Sequence, residues 1–360
     1  MRLIALLCFI IFFNSCKEDH VRPSNVSTVI IEPFITDSTL SIRAIDFNDE
    51  NIFYGSSDHI GKYALDAQFK INLDNYSTSN TKEYFKNVMT FNDKPHHFRA
   101  IEEVNGDFLA LSIENPARLY KIYRKAKEPK LVYEELNEKV FYDSMAFWND
   151  KEGIAIGDPT DDCMSVIITR DGGESWAKRN CSELPKAKEG EAAFAASDTN
   201  IALVGDHTWI ATGGIASRVL YSPDKGNTWQ VHDTPIIQGK ATTGMYSIDF
   251  YDKNNGFAIG GDYTKPNDTI ANKIRTTDGG KTWQLVADGN GPGYRSCVQY
   301  IPNRGGKELV AVGFKGIDYS RNAGESWSHL SDEGFYTIRF INDSAAYAAG
   351  RGRISKLIFR

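Results

Sequence analysis

The stretch Thr276-Thr277-Asp278-Gly279-Gly280-Lys281-Thr282-Trp283 decides how the chain is read. It recurs as Thr169-Arg170-Asp171-Gly172-Gly173-Glu174-Ser175-Trp176 and as Ser222-Pro223-Asp224-Lys225-Gly226-Asn227-Thr228-Trp229. A fourth, degraded copy is Ser320-Arg321-Asn322-Ala323-Gly324-Glu325-Ser326-Trp327. The shared pattern is Ser/Thr-x-Asp-x-Gly-x-Ser/Thr-Trp, and each copy sits between two short apolar-alternating runs. That context predicts a hairpin turn: the Asp accepts backbone N–H groups, the Gly takes positive φ, and the Trp opens the next strand facing inward.

The pattern resembles the Asp-box, or bacterial-neuraminidase, repeat of β-propellers. In that family the box is a folding device on the face away from the ligand, so Asp171, Asp224, Asp278 and Asn322 are read as structural. Between the boxes the chain repeats one unit: apolar run, turn, apolar run, loop, hairpin. Units begin near Ile42, Phe98, Ser144, Glu191, Tyr246, Arg295 and Tyr336, giving an all-β propeller of seven four-stranded blades. The last unit stops one strand short. Residues 28–34, an isolated β-branched run, are expected to supply that outer strand and close the ring, hiding two sheet edges at once. Residues 68–95 read as a longer polar connection between the first two blades. Residues 28–360 are thus a single propeller domain.

The N-terminus predicts export. Residues 1–15 carry one basic residue, Arg2, and an apolar core too short to span a bilayer, as in a cleaved signal peptide. Ser15-Cys16 resembles a lipoprotein cleavage site, making Cys16 the lipidation site and residues 16–27 a tether. The charged Lys17-Glu18-Asp19 resembles a tag for the cell surface. The expectation is an outer-membrane lipoprotein exposed at the cell surface, with the periplasmic side as the alternative, touching the membrane only through its lipid. Loss of residues 1–15 moves the net charge from −6 to −7, which argues against nucleic-acid binding. Cys163 and Cys181 are equidistant from the centre of the first box turn and pair as a candidate disulfide that an exported protein can keep. Cys297 falls in an apolar run and reads as a buried small residue. No Cys/His spacing suggests a metal, and no dinucleotide, flavin or haem motif suggests a cofactor.

Propellers bind ligands at the channel mouth opposite the boxes. Aligning the starts of the innermost strands on the residue before a small and an apolar one gives Arg43, Arg99, Asp143, Glu191, Tyr246, Arg295 and Tyr336. All seven are charged or phenolic. They are the candidate ligand-facing ring, or a rim of groups that neutralise one another. Gly157-Asp158, Gly205-Asp206 and Gly261-Asp262 close three second strands alike, which adds Asp158, Asp262 and Tyr263 as site residues or turn caps.

Two family resemblances bear on function. A ring of Arg, Asp, Glu and Tyr is similar to that of sialidases, which would make Glu191 with Asp143 or Asp158 the catalytic carboxylates. The chain departs from sialidases in lacking an Arg-Ile-Pro motif and in having seven blades rather than six. The second resemblance covers nearly all of the chain after residue 15. Gly157-Asp158-Pro159, the run 191–197, Gly261-Asp262-Tyr263 and Gly293-Tyr294-Arg295-Ser296 resemble propellers related to photosystem II assembly factors, some labelled oxidoreductases. That resemblance implies a binding or assembly scaffold with an arginine-rich patch; the sequence itself carries no redox motif, and a monomer is expected. The ring of strand-start residues itself is expected to hold an acidic glycan or an acidic protein partner through Arg43, Arg99 and Arg295, with Tyr246 and Tyr336 stacking. A carbohydrate-active enzyme is the alternative.

Overall fold

The computed structural model describes residues 25–65, 83–91, 94–126 and 128–360. The proposed signal peptide, Cys16 and nearly all of the tether lie outside them.

Short alternating runs separated by Gly, Asn and Asp turns form antiparallel hairpins, and seven sheets of such strands stand around a central axis. The innermost strands are Ala44–Phe47, Phe98–Val104, Tyr142–Phe147, Ile201–Val204, Thr243–Phe250, Cys297–Tyr300 and Thr337–Phe340. Second strands such as Gly153–Gly157 and Leu309–Gly313 are buried on both faces, whereas outer strands such as Gln230–Asp233 are mostly exposed. Each pair of neighbouring blades encloses its own apolar cluster. Phe53 meets Phe108 between the first and second blades, for example, and Trp209 stacks on Phe250 at 3.7 Å between the fourth and fifth. The core is therefore a ring of inter-blade seams, which is how one domain of this length avoids an oversized centre.

The last seam closes as the strand count requires. Residues Ala345–Phe359 fold back on themselves: the Phe359 amide donates to Ser344 O at 2.8 Å, and Gly352 at the bend has φ +76°. The N-terminal strand Val29–Ser41 pairs antiparallel with the returning half, Val29 against Phe359 and Ser41 against Arg351. It is the outer strand of the seventh blade and leads directly into the first.

All four boxes adopt one hydrogen-bonded turn. Asp278 Oδ1 accepts from the Thr282 amide (3.0 Å) and Thr276 Oγ1 (2.8 Å), Oδ2 accepts from Thr282 Oγ1 (2.7 Å), and Thr276 Oγ1 accepts the Gly280 amide. Asn322 reproduces this network, donating from Nδ2 to Ser326 Oγ where Asp would accept. The preceding blade donates to a carbonyl of each turn: Lys121 to Gly172, Arg170 to Lys225, Trp209 to Gly279 and Arg275 to Ala323. The boxes thus brace each hairpin and tie it to its neighbour.

Two expectations of the blade map need correction. Residues 68–95 are not merely a connection, because Glu83–Val88 inside them is the outer strand of the first blade. The fourth blade does not begin at Glu191. Glu191–Ala192 is a two-residue strand against Gly213–Gly214 at the mouth, and the innermost strand starts ten residues later at Ile201. Gly205-Asp206 is consequently the turn between the first two strands of that blade, on the box face, and is not equivalent to Gly157-Asp158 or Gly261-Asp262.

Asp278→Ala removes three accepted bonds from one turn. It is expected to lower unfolding stability by about 1–2 kcal/mol in a denaturant titration. A loss below about 0.3 kcal/mol would show that the box is not a folding device.

Candidate functional site: a plugged channel with an aromatic mouth

Residues 193–200 leave the rim and run down the channel axis before turning into the fourth blade. Chain entry is fixed by the Cys163–Cys181 disulfide (Cα–Cα 5.4 Å) and by the Ala187 amide on Asp162 O. The six other blades all bond to this plug. Arg99 Nη1 donates to Ala195 O (2.8 Å), Arg43 Nη1 to Ala196 O (3.4 Å), and Thr337 Oγ1 to Ser197 O (2.8 Å). Ser197 Oγ donates to Ser296 O, and Thr199 Oγ1 to Ser247 Oγ.

Asp198 is the hub. Its Oδ1 accepts the Met145 amide and its Oδ2 the Ile101 amide, each at 3.0 Å, so one side chain joins the second and third blades. Its carbonyl accepts Arg339 Nη2 from the seventh blade at 2.8 Å. Its φ of +57° is the left-handed turn that Asp tolerates better than most residues. Burial pushes its carboxyl up to about 7, against Arg339 and the two amides that favour ionisation.

Above the plug opens a cavity of about 420 Å³, floored by Ala193, Ala195 and Ala196. Of the sequence candidates it brings together Arg43, Arg99, Tyr246, Tyr263 and Tyr336. It also includes Phe141, Phe194, Tyr294 and Phe314, which the alignment on strand starts did not select because they stand on connecting loops or on the plug. Phe194 stacks on Tyr246 (3.9 Å, 4°), and Tyr294 meets Tyr246 edge-on at 4.8 Å. Burial pushes both phenols above their usual range, so they remain neutral donors. Arg43 lies over the Tyr336 ring at 4.1 Å. Burial and the neighbouring Arg43 push Arg99 down to about 10, which leaves it protonated at neutral pH. Neither guanidinium has an ion-pair partner among the described residues, and Arg43 Nε is buried without any bond.

The other candidates do not face this cavity, each for a definite reason. Glu191 is buried and saturated: Arg218 grips both its oxygens (3.0 and 2.5 Å), and Thr212 Oγ1 and the Lys188 amide complete them. Arg295 is buried on Asp318 at 2.6 Å and on Tyr294 O. Asp143 is fully buried, and burial with Asp158 nearby raises its carboxyl despite Arg99 and the Ala195 amide. Asp158 opens on a neighbouring groove and accepts the Ala193 amide at 2.8 Å. Asp262 caps a turn, where, despite burial, bonds from Thr264 hold its carboxyl below the usual value. Among the described residues no carboxylate lines the cavity, so the Glu191, Asp143 and Asp158 pairing expected of a glycoside hydrolase is not assembled there. Among the described residues no group of three His, Cys, Asp or Glu side chains is placed to hold a metal ion.

Comparison with known proteins agrees with this architecture. The family model described as BNR/Asp-box repeat matches residues 274–285. The chain is a seven-bladed propeller with Asp-box turns. No curated protein sequence matches it. A solved structure described as YCF48 bound to D1 peptide superposes with TM-score 0.60 at 10% identity, covering 93% of this chain and 97% of that one. YCF48 from Cyanidioschyzon merolae gives 0.56 at 12% identity, with 93% and 99% covered. The RRP9 WD40 repeats superpose as well, at 0.60 with 11% identity and 93% and 99% covered. Likeness at these identities shows the propeller alone.

Two outcomes follow from the plug. Asp198→Ala leaves two buried amides unpaired and is expected to cost about 2–5 kcal/mol in denaturant unfolding, several times the cost of an exposed substitution; a cost under 1 kcal/mol would remove Asp198 as the hub. Burial raises Asp46, Asp158 and Asp249 to about 6 and Asp198 to about 7. The folded chain therefore binds more protons than the unfolded chain from roughly pH 4 to 7, and stability falls as pH rises through that window. Buried His96 and half-buried His232, held below their usual value by desolvation, act the other way but are fewer. The denaturation midpoint is expected to be lower at pH 7.5 than at pH 5.

Proposed function

We propose that this propeller is a binding or assembly module that holds an acidic segment of a partner protein at the aromatic mouth, through Arg43 and Arg99. The observation that carries the reading is a pair of adjacent, partly buried arginines opening on a cavity whose lining has no carboxylate. Taking an unpaired cation out of water is costly, and an incoming carboxylate offsets that cost with charge-assisted bonds. The unbonded Nε of Arg43 is the sharpest sign of a missing acceptor. A propeller of the same fold that binds a peptide, YCF48, supports a protein ligand over a small metabolite.

The chain's own geometry adds an orientation. The Ser27 and Thr28 amides both bond Arg360 O at the box end of the seventh blade. Were Cys16 lipidated, a chain entering the fold at Ser27 would favour an orientation with the box face toward the membrane and the cavity away from it. That arrangement suits capture of a partner arriving from the side opposite the bilayer.

The test is retention of blocked tripeptides by the full chain, with Asp or Glu compared against Asn or Gln. Arg43→Gln and Arg99→Gln are each expected to weaken the acidic peptides at least tenfold, and added salt to weaken them further. Equal binding of neutral peptides, or no effect of either substitution, would overturn the reading. Retention of uronic-acid oligosaccharides in place of peptides would turn it toward an acidic glycan.

A further inference from the structure

The mouth is chemically divided, and this division specifies its ligand beyond a charge. The cations enter from the first and second blades, beside Tyr336 of the seventh. The rings of Tyr246 and Tyr263 come from the fifth blade, Tyr294 and Phe314 from the sixth, and Phe194 from the plug. Within the aromatic half, Tyr294 contacts Phe314 with ring centres 5.5 Å apart and Tyr263 contacts Tyr246 at 6.4 Å, so the rings pack into one continuous aromatic wall along the cavity. The floor of Ala193, Ala195 and Ala196 closes it below with small side chains only.

We infer that the aromatic half of this cavity is a subsite for one aromatic side chain of the bound segment, whose carboxylate lies on Arg43 and Arg99. The inference rests on the acidic-segment reading above and fixes its polarity: acid toward the first and second blades, ring toward the fifth and sixth. Three observations carry it. Tyr263 and Phe314 are 48% and 42% exposed at the rim, an apolar cost that a docked ring removes. Val88, Leu136, Ile215 and Ile270 are also exposed on this face, while Ile30, Leu131, Val231 and Leu285 are exposed on outer strands nearer the box end, so what marks the mouth is the aromatic character of its exposed residues. Side chains of stacked and edge-on rings present both faces and edges, which select an incoming ring over an aliphatic chain of equal volume. The partner is therefore a protein segment with an acidic residue and an aromatic residue a short distance apart, rather than a uniformly acidic tail.

The experiment is calorimetric titration of the full chain with the acetylated tripeptide amides Asp-Gly-Phe, Phe-Gly-Asp and their Leu and Ala counterparts. At least one Phe peptide is expected to bind tenfold or more tighter than its Ala counterpart and several-fold tighter than Leu. The double variant Tyr263→Ala/Phe314→Ala touches exposed side chains and spares the plug. It is expected to erase that preference while keeping the dependence on Asp. Equal affinity of Phe and Ala peptides for the native chain would overturn the subsite and leave the arginine reading standing. So would a preference that survives in the double variant. Failure of every acidic peptide to bind would remove the arginine reading, and the subsite with it.

Discussion

A single carboxylate on the axis holds the ring together. Propeller blades contact only their neighbours, so nothing in the repeat itself fixes the radius at the centre, where seven strand edges would otherwise face an open channel. Asp198 supplies that constraint by accepting the Ile101 and Met145 amides from two different blades while its carbonyl accepts Arg339 from a third. The surrounding plug completes the contacts, chiefly through carbonyls that accept side-chain donors. Because these bonds lie in a desolvated channel, each unmade one would cost more than its exposed equivalent. A similar device recurs at the strand edges near the box face. Asp46 accepts the Glu103 amide and Asp249 the Tyr300 amide, each bridging one blade to the next.

The fold was legible because its signals are local. A box closes on itself within eight residues, so four copies of one octapeptide are enough to count hairpins. Closure by the N-terminal strand followed from a missing partner, since an unpaired edge has to be covered. The outer strand Glu83–Val88 was not legible, because its polar sequence lacks an apolar face and it pairs along only one edge.

The site was half legible, and the half that failed did so for long-range reasons. Glu191 and Arg295 have the residue types of a ligand ring, but the partners that consume them, Arg218 and Asp318, lie 27 and 23 residues away, on third strands that no periodicity links to them. The small-residue run Ala192–Ala196 imitates an innermost strand, and only the tertiary fold reveals it as a plug. One sequence signal did point there: Ile201–Val204 and His207–Ala211 already form a complete hairpin around Gly205-Asp206, leaving the run before them without a partner. Arg43, Arg99, Tyr246 and Tyr336 were found because their strands do align in register. The aromatic residues between them arrive on loops, whose positions depend on turn geometry rather than on a repeat.

The two arginines show why burial alone cannot separate structure from function at this mouth. Each spends one N–H on a plug carbonyl, which is a structural role sufficient to explain a donor at that position. It does not explain a cation. A Gln or Lys reaching Ala195 O or Ala196 O would satisfy the carbonyl with less charge to desolvate or a smaller head to place. Two guanidinium groups side by side repel each other, and burial and Arg43 are what lower Arg99. Elsewhere in the same molecule buried arginines are matched: Arg218 by Glu191, Arg295 by Asp318. Arg218 and Arg295 are thus held by direct carboxylate contacts, whereas Arg43 and Arg99, which open on the aromatic cavity, make no direct ion pair among the described residues and Arg99 feels Glu114 and Asp143 only at longer range. Positive charge kept beside this apolar cavity is what the proposed acidic segment would meet.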